Sequence, residues 1–268
     1  MSLVKIETRK QWNQTPCGTS DYLDGIPVDS LEYFEEIRRN RYEVSDRWMK
    51  RVIDFSVARN KRLLEIGHGI GTDLLTFCEA GAEVSGIDIT EKHHELARRN
   101  FEVHERDCTL KLCDASDIDF PSQYFDVVYS HGVLHHTPDT VRCVAEASRV
   151  LKPGGLFILS MYHTYSAFHL FQKLAFEGIW QGKLRNLGYR GLMATLERGA
   201  DGIHIKPLVK TYRKSVLRHI LADFSDVTFR VAHFQRSQIP ILGEYLPRVS
   251  ESLLDGWLGW YVIAFATK

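Results

Sequence analysis

The stretch "LLEIGHGIGTDL", Leu63 to Leu74, decides the fold. With Arg62 it opens as "RLLEI", a short apolar run that reads as a buried strand and ends on a carboxylate. Three alternate glycines follow, Gly67, Gly69 and Gly71. Thr72–Ala80 then reads as a helix, closed by Gly81 in the position that suits a left-handed stop. Strand, glycine loop and helix in that order put exposed backbone at the carboxyl end of a strand, where open α/β sheets bind ligands. Two phosphate-binding patterns fail here. G-x-G-x-x-G counted from Gly67 would need glycine at position 72, which is Thr72, and no G-K-[ST] follows. Glu65 argues the same way, because a carboxylate at the mouth of the loop would repel a phosphate. It suits an ammonium group. The alternative is that Glu65 only braces the loop by accepting backbone N–H groups.

Working outward, strands and helices alternate. "AEVSGIDI" is a second strand, and Thr90 caps a helix to about Asn100. "TLKLCDA" and "YFDVVYS" are the third and fourth strands. Pro138 sits in the first turn of a helix to about Val150, "PGG" breaks it, and "LFILSMY" is the fifth strand. This alternation implies a doubly wound α/β fold, a mostly parallel sheet with helices on both faces. N-terminal to it, residues 1–60 form a helical cap. Within the cap, "DSLEYFEEIRRNRY" starts at Asp29 as N-cap, with Glu32 at capping-box spacing. Residues 61–268 form the α/β domain, with a helical insert over 163–205. A helix covers Thr211–Phe224. "DVTFRVAHF" and "GWYVIAFATK" are late strands with no helix between them, which fits antiparallel pairing at the sheet edge.

Two further acids end strands. Asp88, in "SGIDIT", can accept from ribose hydroxyls. Asp114, in "LCDAS", can accept from an adenine amine. A lone aspartate at a strand end is usually a turn former. Three acids at successive strand ends, ordered for an amino acid, a ribose and an adenine, form a pattern.

With these segments, "FDVVYSHGVLHHTPDT" and "RVLKPGGLFILS" complete a set that resembles the class I S-adenosylmethionine-dependent methyltransferases. Within them it is similar to the small-molecule branch that includes the quinone-pathway C-methyltransferases. The match covers about Lys61–Tyr162 closely and the C-terminal strand pair loosely. It implies a seven-stranded sheet of order 3-2-1-4-5-7-6 with strand 7 antiparallel, and S-adenosyl-L-methionine as cofactor. The cofactor residues it implies are Glu65, Gly67, Gly69, Gly71, Thr72, Asp88, Ile89, Asp114, Ala115 and Ser130. His68 stands where the family often has a small residue.

His131, His135 and His136 follow the fourth strand, whose end should face the transferable methyl group. Loop packing, proton abstraction and substrate hydrogen bonding all suit them, since histidine titrates near neutral pH. His131 and His135 are four residues apart, but no Cys or acidic partner sits at ligand spacing, so no metal is expected. Aromatic residues cluster in the two segments that should cover the site. Tyr22, Tyr33, Tyr162 and His163 are the substrate candidates among them, and as a group they favour an apolar or aromatic acceptor. Phe168, Phe171 and Leu174 also fit an ordinary buried helical face.

Bulk properties agree with a small-molecule substrate. Lys+Arg and Asp+Glu both total 34 in 268 residues, so no net charge points to nucleic acid. Nine Lys/Arg between Gln181 and His219 could meet an anion or form a solvated face. Five cysteines without a C-x-x-C pair fit a reduced, cytoplasmic protein. No apolar run approaches the roughly 20 residues needed to span a bilayer. An RNA-modifying methyltransferase and a non-catalytic S-adenosylmethionine-binding protein stay open beside the small-molecule enzyme. The oligomeric state is not legible.

Overall fold

Leu63 and Leu64 leave the first strand on opposite faces, and each face becomes a core. The computed structural model describes residues 3–14, 23–196 and 208–268. Strand β1 (Arg62–Ile66) pairs in parallel with β2 (Glu83–Asp88) on one side and β4 (Phe125–His131) on the other. β3 (Thr109–Leu112) extends the sheet beyond β2, and β5 (Leu151–Tyr162) beyond β4. β7 (Tyr261–Thr267) runs antiparallel to both β5 and β6 (Asp226–Ala232). The order is β3-β2-β1-β4-β5-β7-β6, as the resemblance implied. The strand order reverses between β1 and β4, which opens a crevice at their carboxyl ends.

Helices fill both faces. α6 (Thr140–Val150) and α8 (Lys214–Ile220) pack Cys143, Val144, Ala147 and Leu217 against Leu64, Ile66 and Val128. On the other face α4 (Thr72–Glu79) packs Leu74, Leu75 and Phe77 against Leu63, Val127 and Tyr129. Phe101 of α5 (Glu91–Val103) joins that second core. Ahead of the sheet come α1 (Leu3–Gln14), α2 (Leu31–Arg39) and α3 (Met49–Val52), with a π-helical turn at Asn40–Ser45 after α2. After β5 come a π-helical segment, Phe168–Trp180, and α7 (Lys183–Ala194).

Several boundaries differ from the sequence reading. Ser30, not Asp29, caps α2, its Oγ accepting from the Tyr33 N–H at 3.1 Å. Asp29 lies at φ 68° in the turn before it, so the cap moves one residue on. Pro138 precedes α6 rather than opening it; Asp139 caps the helix by accepting from the Arg142 N–H at 3.0 Å. The helix expected over Thr211–Phe224 is only Lys214–Ile220. A helix does separate the late strands: α9 (Val249–Leu258) lies between β6 and β7. Its apolar residues at 249, 253 and 257 face outward. In the insert, π winding turns His169, Lys173 and Glu177 inward and leaves Phe171 exposed, in place of the expected aromatic face. The buried Lys173–Glu177 pair, 3.0 Å apart, is possible because Lys183 and Thr195 add further contacts.

Candidate active site

The backbone turns sharply after β1. Gly67, Gly69 and Gly71 all adopt left-handed conformations, at φ 75°, 54° and 81°. At Gly67 a Cβ would stand 2.3 Å from Val133 Cγ2, so the loop needs glycine there for space as well. At Gly69 a Cβ would meet nothing, because that residue faces the cavity. His68, out of keeping with the family pattern, folds its ring over Gly86, where a Cβ would lie 2.8 Å from His68 Cδ2. Its Nδ1 sits 2.8 Å from the Gly69 carbonyl, which ties the loop to itself.

A cavity of about 390 Å³ opens above this loop, between the tips of β1, β2, β3 and β4. That is the size of a small-ligand site. Of the sequence candidates, Glu65, Gly67, Gly69, Thr72, Asp88, Ile89, Asp114, Ala115, His131, His136 and Tyr162 line it. Others lie elsewhere. Gly71 starts α4. Ser130 is fully buried and its Oγ donates to the Ile66 carbonyl at 3.1 Å, bracing β1. His135 is fully buried and stacks on Tyr162 with ring centroids 3.7 Å apart. Tyr33 packs with Phe34, Ile37 and Leu96 between α2 and α5. His163 is buried against the Gly259 carbonyl. Tyr22 lies outside the described residues.

The charge pattern is one-sided. Among the described residues, five carboxylates line the cavity (Asp46, Glu65, Asp73, Asp88 and Asp114) against two basic side chains, Lys5 and Arg41. Glu65 shares a face with Tyr129, its register partner on β4, and looks toward the start of α4. There the buried Asp73 accepts from Arg41 Nε and Nη2, both at 2.7 Å, from Tyr42 Oη at 2.7 Å and from Tyr129 Oη at 2.9 Å. Four donors saturate that carboxylate. Glu65 has less: the Leu74 backbone N–H acts on its carboxyl, and its Oε2 is buried without a hydrogen-bond partner. Burial first, and then the charges of Asp73 and Asp88, push its carboxyl well above the ordinary range, while Arg41 opposes them. An unpartnered buried oxygen in an acidic cavity is a place for a cation.

Asp88 braces the loop as well. Its Oδ2 accepts from the Gly69 N–H at 3.1 Å, and its Oδ1 from the Thr90 N–H and hydroxyl at 2.9 and 2.8 Å. His93 Nδ1 approaches Oδ2 at 3.4 Å. Burial raises the Asp88 carboxyl, but these donors, His93 foremost, outweigh it and hold the group well below the usual range. At the tip of β3, Asp114 Oδ1 accepts from the Ser116 N–H and hydroxyl at 2.9 and 2.8 Å. Its Oδ2 accepts from Lys5 Nζ of α1 at 2.5 Å. A carboxylate has about four acceptor positions, so Oδ2 keeps one.

The far wall is aromatic. His131 lies between Trp48 and Tyr261, with ring centroids 5.6 and 4.8 Å away. Tyr162 stacks on Trp260 at 4.2 Å, and Trp12 of α1 meets His136 edge-on at 5.7 Å. Burial, and then Arg41, bring His131 down to about 4, so its imidazole is neutral at physiological pH. The sequence reading missed Lys5, Arg41, Asp46, Asp73, His93 and Tyr261. One signal was available: Asp73 is a single acid in the otherwise buried start of α4, which demands a partner.

A family profile described as "Methyltransferase domain" matches residues 64–159. The ubiquinone biosynthesis O-methyltransferase of Alkalilimnicola ehrlichii is 30% identical over 195 residues, covering 66% of this chain and 74% of that protein. The chain belongs to the S-adenosylmethionine-dependent methyltransferases. The 27-O-demethylrifamycin SV methyltransferase of Amycolatopsis mediterranei is 32% identical, over 52% of this methyltransferase and 54% of its own length. The methyltransferase spans about half the length of several of these curated relatives, 54% and 51% in two cases. A SAM-dependent methyltransferase from Thermotoga maritima shares the fold, with a TM-score of 0.55 at 16% identity, over 89% of this chain and 97% of that one. S-adenosylmethionine is the cofactor of this family, and the acidic, glycine-floored cavity with an unpartnered buried carboxylate oxygen fits it. Among the described residues, no helix is long and apolar enough to cross a membrane, and no group of three or more His, Cys, Asp or Glu could hold a metal ion.

Proposed function

We propose that this methyltransferase moves a methyl group from S-adenosylmethionine to a small apolar or aromatic acceptor through an O, N or C atom. The observation that carries the reading is Glu65 Oε2, buried without a partner beside the left-handed glycine loop, in a cavity of five carboxylates and two bases. In this reading Glu65 takes the cofactor's ammonium group. Arg41 takes its carboxylate: Nε and Nη2 are used on Asp73, while among the described residues Nη1 has only Asp46 nearby, at 4.0 Å. Asp88 accepts a ribose hydroxyl in exchange for His93, and the last acceptor position on Asp114 takes the adenine amine.

When bound, S-adenosylmethionine supplies a methyl group already activated on a sulfonium. The chain's task is then to align an acceptor lone pair and exclude water. Tyr162, Tyr261, Trp12 and His136 give a flat apolar wall for that acceptor. The neutral imidazole of His131, at the tip of β4, receives the proton shed by an O–H or N–H acceptor. His135, behind Tyr162, supports that ring instead.

Calorimetry with S-adenosylmethionine and with 5′-methylthioadenosine, which lacks the amino-acid head, tests the cofactor assignment. Glu65→Gln and Arg41→Gln are expected to weaken S-adenosylmethionine at least tenfold and leave 5′-methylthioadenosine within twofold. Equal losses for both would remove the assignment. A screen of phenols, amines and quinols with labelled methyl donor tests the acceptor class; labelling of RNA alone would overturn it. His131→Ala should lose turnover while keeping cofactor affinity.

A further inference from the structure

The segment between β6 and β7 presents apolar surface that the fold does not use. Ile241, Leu242, Tyr245, Val249, Leu253 and Trp257 are all more than half exposed, Tyr245 at 83% and Trp257 at 78%. The last three are spaced by four on α9 and form one stripe. The inner side of the helix is fixed: Asp255 Oδ1 accepts from the Phe234 N–H at 2.7 Å, and Glu251 Oε1 from the Arg236 N–H at 3.2 Å. The stripe therefore cannot roll inward.

Small residues stand beside the large ones. Ser252 and Gly256 are exposed on the same face, and nothing lies within 4 Å of where a Gly256 Cβ would be. A glycine inside a helix costs roughly 0.5–1 kcal/mol relative to alanine. Among the described residues nothing uses the space it leaves.

We infer that this face is a two-fold interface with a second copy of the chain, formed by α9 packed antiparallel on itself. Setting Ser252 opposite Leu253 puts Val249 opposite Gly256 and Arg248 opposite Trp257. Every large apolar residue of the seam then meets a small one or a guanidinium that can lie on an indole. The two-fold axis makes each contact twice. No acid faces an acid, because Glu251 and Asp255 are engaged on the inner side of the helix. Six large apolar side chains exposed to this degree offer on the order of 800 Å², one partner's share of a standard stable interface. The flanking charges also point to a copy rather than to an anionic lipid surface, since Arg248 and Arg236 are outnumbered by Glu244, Glu251 and Asp255 over residues 236–260.

Sedimentation equilibrium of the full chain over a hundredfold concentration range is the test. A monomer–dimer equilibrium is expected, weakened at least tenfold by Trp257→Glu and by Leu253→Glu with cofactor affinity unchanged. Gly256→Leu separates the interface from simple helix packing: it should weaken the dimer at least tenfold while raising the thermal stability of the monomer. Oxidation of a Ser252→Cys variant should join two copies. A monomer at every concentration, a dimer untouched by these substitutions, or flotation of monomer with neutral or anionic vesicles would overturn the inference.

Discussion

Gly67 and Gly69 share a conformation but not an environment, and their alanine variants should part company. Gly67→Ala drives a methyl group into Val133 at a left-handed φ, so a loss of about 3 kcal/mol or more in chemical denaturation is expected. Gly69→Ala meets only open cavity; it should cost about 1 kcal/mol of stability yet weaken the cofactor at least tenfold by calorimetry. Glu65 carries a pH signature. Its carboxyl lies above the ordinary range in the free protein, and a cation beside it favours the ionised form. Binding should then release a proton, and S-adenosylmethionine affinity should rise with pH through that raised value. Calorimetry in buffers of differing ionisation enthalpy measures the release, and Glu65→Gln should abolish it. Burial of His131 as a neutral ring works in the folding equilibrium. The unfolded chain binds that proton below about 6.5 and the folded one only below about 4. Stability from this group is thus complete above pH 6.5 and falls as pH drops toward 4; His131→Gln should flatten that fall.

At the scale of elements, β1, α4 and β2 could be read from sequence because local signals agree there: alternation, a glycine turn and a left-handed stop at Gly81. The tips of β1 to β4 could be read for the same reason, since topology alone brings successive strand ends together. What escaped was set by distance or by winding. Lys5 meets Asp114 across 109 positions of chain, and no local pattern announces such a pair. The π-helical insert moved its buried stripe off the 3.6-residue period on which the aromatic face was judged. α9 was legible from apolar residues recurring at 249, 253 and 257, a helical period that the sequence reading passed over. α1 carries its own expectation. It is held over the cavity by Lys5 on Asp114, Arg9 on Glu91 and an Asn13 amide that donates to Glu91 at 2.9 Å. Lys5→Met should speed both association and dissociation of S-adenosylmethionine severalfold in stopped-flow fluorescence and remove most of the salt dependence of the dissociation rate.

For the molecule as a whole, ligand and partner enter the folding equilibrium alike. S-adenosylmethionine at a hundred times its dissociation constant should add about 2.7 kcal/mol to unfolding, read as a rise in melting temperature. If α9 joins two copies, the melting temperature should also climb with protein concentration, and Trp257→Glu should remove that climb while leaving the ligand effect. The helix across the cavity has a consequence for tempo. α1 reaches Asp114 through Lys5 at one end and His136 through Trp12 at the other. If Lys5→Met speeds ligand exchange as expected, the lifting of α1 sets a ceiling on catalytic cycles per second, however fast the methyl group itself can jump.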